Sequence, residues 1–233
     1  YGYDNIPTTL PSGEATTGKL SFKLRVEQVA RDIAEFCGFS QGMTYSFESP
    51  KVFDKLLIPE DSDLRKAIPI MNTGEDYSIM RTSSLNGMLT SLATNYNRRN
   101  KDVKLYELAN IYLPKALPLT ELPDERVQFT LGMYGEGDFF TMKGVVEEFF
   151  DKVGLHKKEK YDPNAGKSFL HPGRQANIIY DGVVVGYLGE VHPEVADNYG
   201  IGTRAYIAVI DMPGIVARAT LIVNIQELQN SLQ

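Results

Sequence analysis

The sequence predicts an α+β fold, with helices packed on one face of a mostly antiparallel sheet. Three observations lead there. Two long stretches carry apolar residues at helical spacing. A strand–loop–strand pattern spans "ANIYLPKALPLTELPDERVQF" (109–129). A second strand pair meets at Asp181-Gly182, a dipeptide that favours a tight type I′ turn.

Taken in order, "YGYDNIPTTLPSG" is aromatic and then rich in Pro, Thr and Gly, so residues 1–17 read as a linker after a preceding folded unit. In "GKLSFKLRVEQVARDIAEFC" Phe22, Val26, Val29, Ile33 and Phe36 form one apolar helix face, with Leu20, Leu24 and Ala34 widening it, and Gly38 is the stop. Met43, Tyr45 and Phe47 alternate with Thr44, Ser46 and Glu48 as in a strand ended by Pro50. "SPKVFDKLL" predicts a short helix, and a short strand is expected around Ile68 to Met71.

Ser83 or Ser84 can cap a helix from Leu85 to Arg98, with Leu85, Met88, Leu89, Leu92 and Tyr96 as its stripe. "VKLYELANIYLP" and "RVQFTLGMYG" are the two strands around the long loop. "DFFTMKGVVEEFFDKVGL" predicts a helix with Phe140, Val145, Phe149 and Val153 facing inward. "FLHPGR" reads as a loop beside the Asp-Gly hairpin, "HPEVADNYG" as a short helix, "RAYIAVIDMPG" as a strand and "IVARATLIVNIQELQNSLQ" as helical.

The 233 residues carry 42% hydrophobic and 23% charged side chains, an ordinary globular composition. No apolar run approaches the ~20 residues of a membrane helix. The single cysteine, Cys37, forms no internal disulfide and fits a reducing cytoplasm, where we expect the protein to reside. A formal net charge of −6 argues against a chain that dominates nucleic-acid contact.

Candidate sites are sparse. His156, His171 and His192 have no zinc-like spacing to one another or to Cys37. Glu190 and His192 would share a strand face as an acid–base or metal pair, or His192 is a turn histidine before Pro193. "GEG" and "GIG" lack the third glycine and the Lys-Ser/Thr of phosphate loops. Arg98 and Arg99 complement a helix dipole or, with Lys101 and Lys104 nearby, make a phosphate or partner contact. Arg174 either holds an anion or braces its turn. The residues alone reach a scaffold or binding module with no self-sufficient active site.

The order of "YGYDNIP", "ARDIAEFCGFSQGMTYSF", "MRTSSLNGMLTSLATNYNRRNKDVKLYELANIYLP", "GDFFTMKGVVEEFF", "FLHPGRQANI" and "VGYLGEVHPEV" resembles the bacterial phenylalanyl-tRNA synthetase beta chain from Tyr1 to about Thr220. The resemblance implies a class II synthetase-like core over 18–220, an antiparallel sheet flanked by helices. Residues 221–233 are left as a C-terminal tail outside it. In that family the magnesium-binding acidic residues precede the "YGYDNIP"-like string. In catalytic class II synthetases the hairpin carries F-R-x-E, whose arginine grips the ATP α-phosphate and the amino-acid carboxylate. Here Tyr112, Leu113, Pro114 and Lys115 take those positions, and leucine donates no hydrogen bond. The later glycine framework that ends in arginine is replaced by "VIDMPGIVAR", with Arg218 nearby.

The resemblance therefore implies a noncatalytic core with a vestigial pocket around Tyr112, Leu113, Lys115 and Arg174. No cofactor is expected in this chain, and the whole enzyme would use ATP and magnesium. The expected partners are a catalytic alpha subunit in an (αβ)2 assembly and, through the full complex, tRNA(Phe). The first helix and its following strand occupy the dimer-interface position of the class, so Phe22, Val26, Val29 and Ile33 are the interface candidates. The alternative is a regulatory module that binds a ligand in the old pocket.

Overall fold

The computed structural model describes residues 1–71, 73–155 and 158–221. Residues 1–20 are exposed throughout and hold one 3-10 turn at Tyr3–Asn5. Helix α1 (Phe22–Phe36) starts at Ser21, whose hydroxyl accepts from Leu24 N. Short strands β1 (Ser40–Gln41) and β2 (Phe47–Glu48) follow, then α2 (Val52–Lys55), β3 (Ile79–Met80) and α3 (Leu85–Asn97). The long antiparallel pair β4 (Val103–Leu113) and β5 (Asp124–Tyr134) runs in unbroken register from Val103↔Tyr134 to Leu113↔Asp124.

Helix α4 (Phe139–Lys152) opens with a capping box in which the Asp138 carboxylate accepts from Thr141 N and the Thr141 hydroxyl accepts from Asp138 N. Strands β6 (Lys160–Asp162), β7 (Leu170–Tyr180) and β8 (Val183–Val191), helix α5 (Pro193–Tyr199), strand β9 (Ala205–Asp211) and helix α6 (Met212–Val216) complete the described chain. The strand order is β1-β4-β5-β9-β8-β7-β6, antiparallel except for the β1–β4 pair. The Asp181-Gly182 hairpin forms as expected, with both residues at positive φ as a type I′ turn requires.

Helices cover both faces of this sheet, which corrects the one-face expectation. On one face Val26, Ala30 and Ile33 of α1, Val146 and Phe149 of α4 and Ile215 of α6 pack on Phe129, Leu131, Ile178, Leu188, Ala208 and Ile210. On the other, α2, α3 and α5 pack Phe53, Leu89, Leu92 and Val195 against Val103, Ile207 and Val209. The signal was present in "AYIAVI", which is apolar without alternation. A half-covered strand alternates; a strand covered on both sides does not.

Other expectations change at element ends. Phe36, read as inner, is 82% exposed at the last turn of α1, where Ala34 takes the inner place. Phe140 is 74% exposed at the first turn of α4, before that helix reaches the sheet. Of the strand expected over 43–48 only Phe47–Glu48 pairs, and Met43 and Tyr45 are 90% and 77% exposed. Around Ile68 to Met71 one isolated bridge forms, Pro69↔Ile79. "FLHPGR" is mostly the irregular start of β7, with a register shift between Leu170 and Gln175, rather than a free loop. His156 and residues 222–233, part of the expected C-terminal helix, lie outside the described residues.

Candidate functional site

The mouth of the β4–β5 hairpin is built around a buried ion pair. Arg81 and Glu107 are almost wholly buried, with their nearest charged atoms 3.5 Å apart. Arg81 Nε donates to the Asn110 carbonyl at 2.6 Å and Nη1 to Thr44 Oγ1 at 2.9 Å. The Glu107 carboxylate accepts from Thr44 N and Thr44 Oγ1 at 3.0 and 2.9 Å. Tyr112 N donates to the Arg81 carbonyl at 3.0 Å. The network ties the segment after β1, the segment before α3 and the end of β4 into one unit. Its guanidinium donates inward, to Asn110, Thr44 and Glu107.

The neighbouring sheet surface is occupied by the start of α3. Ser84 N and Oγ both donate to Gln128 Oε1, and Ser84 Oγ lies 2.6 Å from Thr130 Oγ1. A Cβ at Gly132 would stand 2.7 Å from the Met88 side chain, so α3 sits directly on the β5 backbone there.

Arg126, the first arginine after the loop, is held by carboxylates on two sides. Nε and Nη2 donate to Asp211 Oδ1 and Oδ2 at 3.0 and 2.6 Å, and Nη1 donates to Asp124 Oδ2 at 2.9 Å. Those bonds, Asp211 first, raise its pKa beyond the usual arginine value. Asp211 also accepts from Gly214 N and so caps α6. Arg218 donates to the Gly214 carbonyl at 3.0 Å, bracing its own turn. Lys115 pairs across the exposed loop with Glu121 at 2.8 Å. An adenylate-forming site needs fixed donors aimed at phosphoryl oxygens. Here Leu113 offers none, and Arg126 faces acids of its own chain.

Arg174 does not join this group. Tyr112, Leu113 and Lys115 lie where β4 ends and β5 begins. Arg174 lies near the start of β7, beside the end of β8 and the start of β9, which is where β4 starts and β5 ends. Eleven residues of β4 separate the two ends by roughly 35 Å. The four residues read together as one pocket are therefore two separate places, because a sequence does not say which end of a sheet a turn falls on. The Glu190–His192 pair also separates: buried Glu190 accepts from Arg174 at 2.9 Å, and His192 caps α5 by accepting from Glu194 N. Among the described residues no group of three or more His, Cys, Asp or Glu is placed to hold a metal ion. Cys37 caps α1, and burial followed by the Glu148 charge pushes its thiol pKa up.

Of the four interface candidates, Val26 and Ile33 are buried in this chain's own core, and Phe22 and Val29 are half-buried against it. The apolar surface left open nearby is Leu20, Leu24 and Phe36 around α1, then Met43, Tyr45 and Phe47, with Tyr77 stacked edge-on against Tyr45 at 6.1 Å. Arg98, Arg99 and Lys101 are exposed and Lys104 half-exposed where α3 passes into β4. None of the four forms an ion pair among the described residues.

A large, mostly antiparallel sheet clad by helices on both sides is a fold this chain shares with a solved aminoacyl-tRNA synthetase. The pyrrolysyl-tRNA synthetase of Desulfitobacterium hafniense superposes with a TM-score of 0.67 at 12% identity, over 83% of this chain and 68% of that one. The model of the phenylalanyl tRNA synthetase beta chain CLM domain matches residues 6–212, and the chain belongs to that family. The phenylalanine–tRNA ligase beta subunit of Clostridium acetobutylicum is 42% identical over 223 residues, and that of Clostridium tetani 38% identical over 222. Each alignment covers 95% of this chain and 28% of the relative, so the chain spans little more than a quarter of their length. Among the described residues no helix is long and apolar enough to cross a membrane.

Proposed function

We propose that this chain is the noncatalytic class II core of a phenylalanyl-tRNA synthetase beta subunit, and that it supports a catalytic alpha subunit in charging tRNA(Phe). The observation that carries the reading is the hairpin mouth. Leu113 stands at the adenylate-gripping position, and Arg126 is neutralised by Asp124 and Asp211. In the whole enzyme ATP and magnesium would act on the catalytic subunit, in the cytoplasm.

The surfaces offered to that subunit are the exposed Met43, Tyr45, Phe47 and Tyr77, which border a cleft with α3, and, on the α1 side, Phe36 with the half-buried Phe22 and Val29. Exposed apolar area of this extent, next to the class interface helix, fits a protein contact. Arg98, Arg99, Lys101 and Lys104 give the same molecule a small cationic corner for a tRNA phosphate, which predicts salt-dependent binding. Co-expression of a catalytic alpha chain with the chain tests the reading. Stable co-purification is expected, lost on Tyr45→Asp with Met43→Asp. Indifference of the complex to those changes, in a folded variant, contradicts it.

A further inference from the structure

At the end of the sheet far from the hairpin loop, the start of α4, strand β6 and the irregular start of β7 enclose a cleft of about 420 Å³. Its walls include Phe139, Phe140, Tyr161, Pro163, Arg174 and Ala176. That volume and aromatic lining fall in the range of small-ligand sites. Arg174 is the charged side chain of the wall among the described residues; the Lys143 ammonium lies 4.5 Å from the centre of the Tyr161 ring and is already paired with Glu147. The Gln175 amide is spent on the backbone of Lys167 and His171.

Arg174 stands between this cleft and a neighbouring one that Glu190 and Arg204 line. Nη1 donates to Glu190, which is 3% exposed, and its remaining N–H groups make no hydrogen bond among the described residues. Arg204 approaches the other Glu190 oxygen at 3.8 Å. The buried carboxylate orients the guanidinium and offsets much of its charge. A singly charged carboxylate is matched there, whereas the second charge of a phosphate would lack a partner.

We propose that this cleft binds an aromatic carboxylate, with its ring against Phe140 and Tyr161 and its carboxylate on Arg174. A free aromatic amino acid and the C-terminal aromatic residue of a peptide share that chemistry. The site is separate from the hairpin mouth, so its failure would leave the proposed function standing. The test is a titration of the isotope-labelled 233-residue chain, followed by amide shifts, with N-acetylphenylalanine, phenylalanine, N-acetylphenylalaninamide and AMP.

Saturable millimolar shifts at Phe140, Tyr161 and Ala176 are expected with a carboxylate probe, and about tenfold weaker binding with the amide or with AMP. Tighter binding of N-acetylphenylalanine assigns the peptide source, and tighter binding of phenylalanine the free amino acid. Phe140→Ala, an exposed position that leaves the fold intact, is expected to weaken binding about tenfold. Arg174→Lys is expected to remove the preference for carboxylate over amide. No saturable shift, or equal binding of acid and amide, or tighter binding of AMP, overturns the proposal.

Discussion

At the scale of single residues the hairpin mouth rests on Arg81 and Glu107. Each is buried, and each satisfies the other together with Thr44 and Asn110. Glu107→Ala strands a guanidinium and is expected to cost about 3–5 kcal/mol in urea unfolding, while Arg81→Met combined with Glu107→Leu returns close to the parent. Glu48 behaves differently. Burial first, opposed by an Asn86 hydrogen bond and the Arg81 charge, lifts its pKa from 4.5 to about 7. A carboxyl with a raised folded pKa binds its proton more tightly when folded. Its contribution is therefore complete below pH 4.5 and is lost as pH rises to about 7. Glu48→Gln is expected to remove that loss, worth at most about 3 kcal/mol, so urea curves for parent and variant diverge as pH rises from 4.5 to 7. Parallel pH profiles would contradict it. None of these pairings was legible beforehand: Arg81 and Glu107 stand 26 residues apart and Arg126 and Asp211 85 apart, with no local pattern to join them.

At the scale of elements, α1 and the segment after it divide their apolar residues between two tasks. Val26 and Ile33 hold α1 on the core, and Phe36, Met43 and Tyr45 remain open. Ile33→Ala is accordingly expected to destabilise by about 2–5 kcal/mol. Tyr45→Ala is expected to change stability by no more than about 0.5 kcal/mol and to weaken association with a catalytic alpha chain at least about tenfold. A pull-down titration beside urea curves separates the two effects. The helical spacing of α1, the Asp138 start of α4 and the Asp-Gly turn could be read from the chain because each is a local signal. Phe36 and Phe140 misled because they continue a periodic stripe past the point where the partner surface ends. The alternation of Met43, Tyr45 and Phe47 reports that one side is apolar, and it carries no information about what covers that side.

At the scale of the whole molecule, the charges around the hairpin mouth are paired within the chain. Helices close both faces of the sheet, α3 lies directly on the β5 backbone at Gly132, and Asp211 ties Arg126 to the start of α6. Arg174, read from the sequence as part of the same pocket, sits at the opposite end of the strands. The most direct test of the central claim is a titration of the chain with ATP in the presence of magnesium, following the amides of Tyr112 and Leu113 and the Arg126 guanidinium. No saturable change at those three groups is expected at millimolar nucleotide. A saturable response there, abolished by Arg126→Ala in a folded variant, would contradict the account.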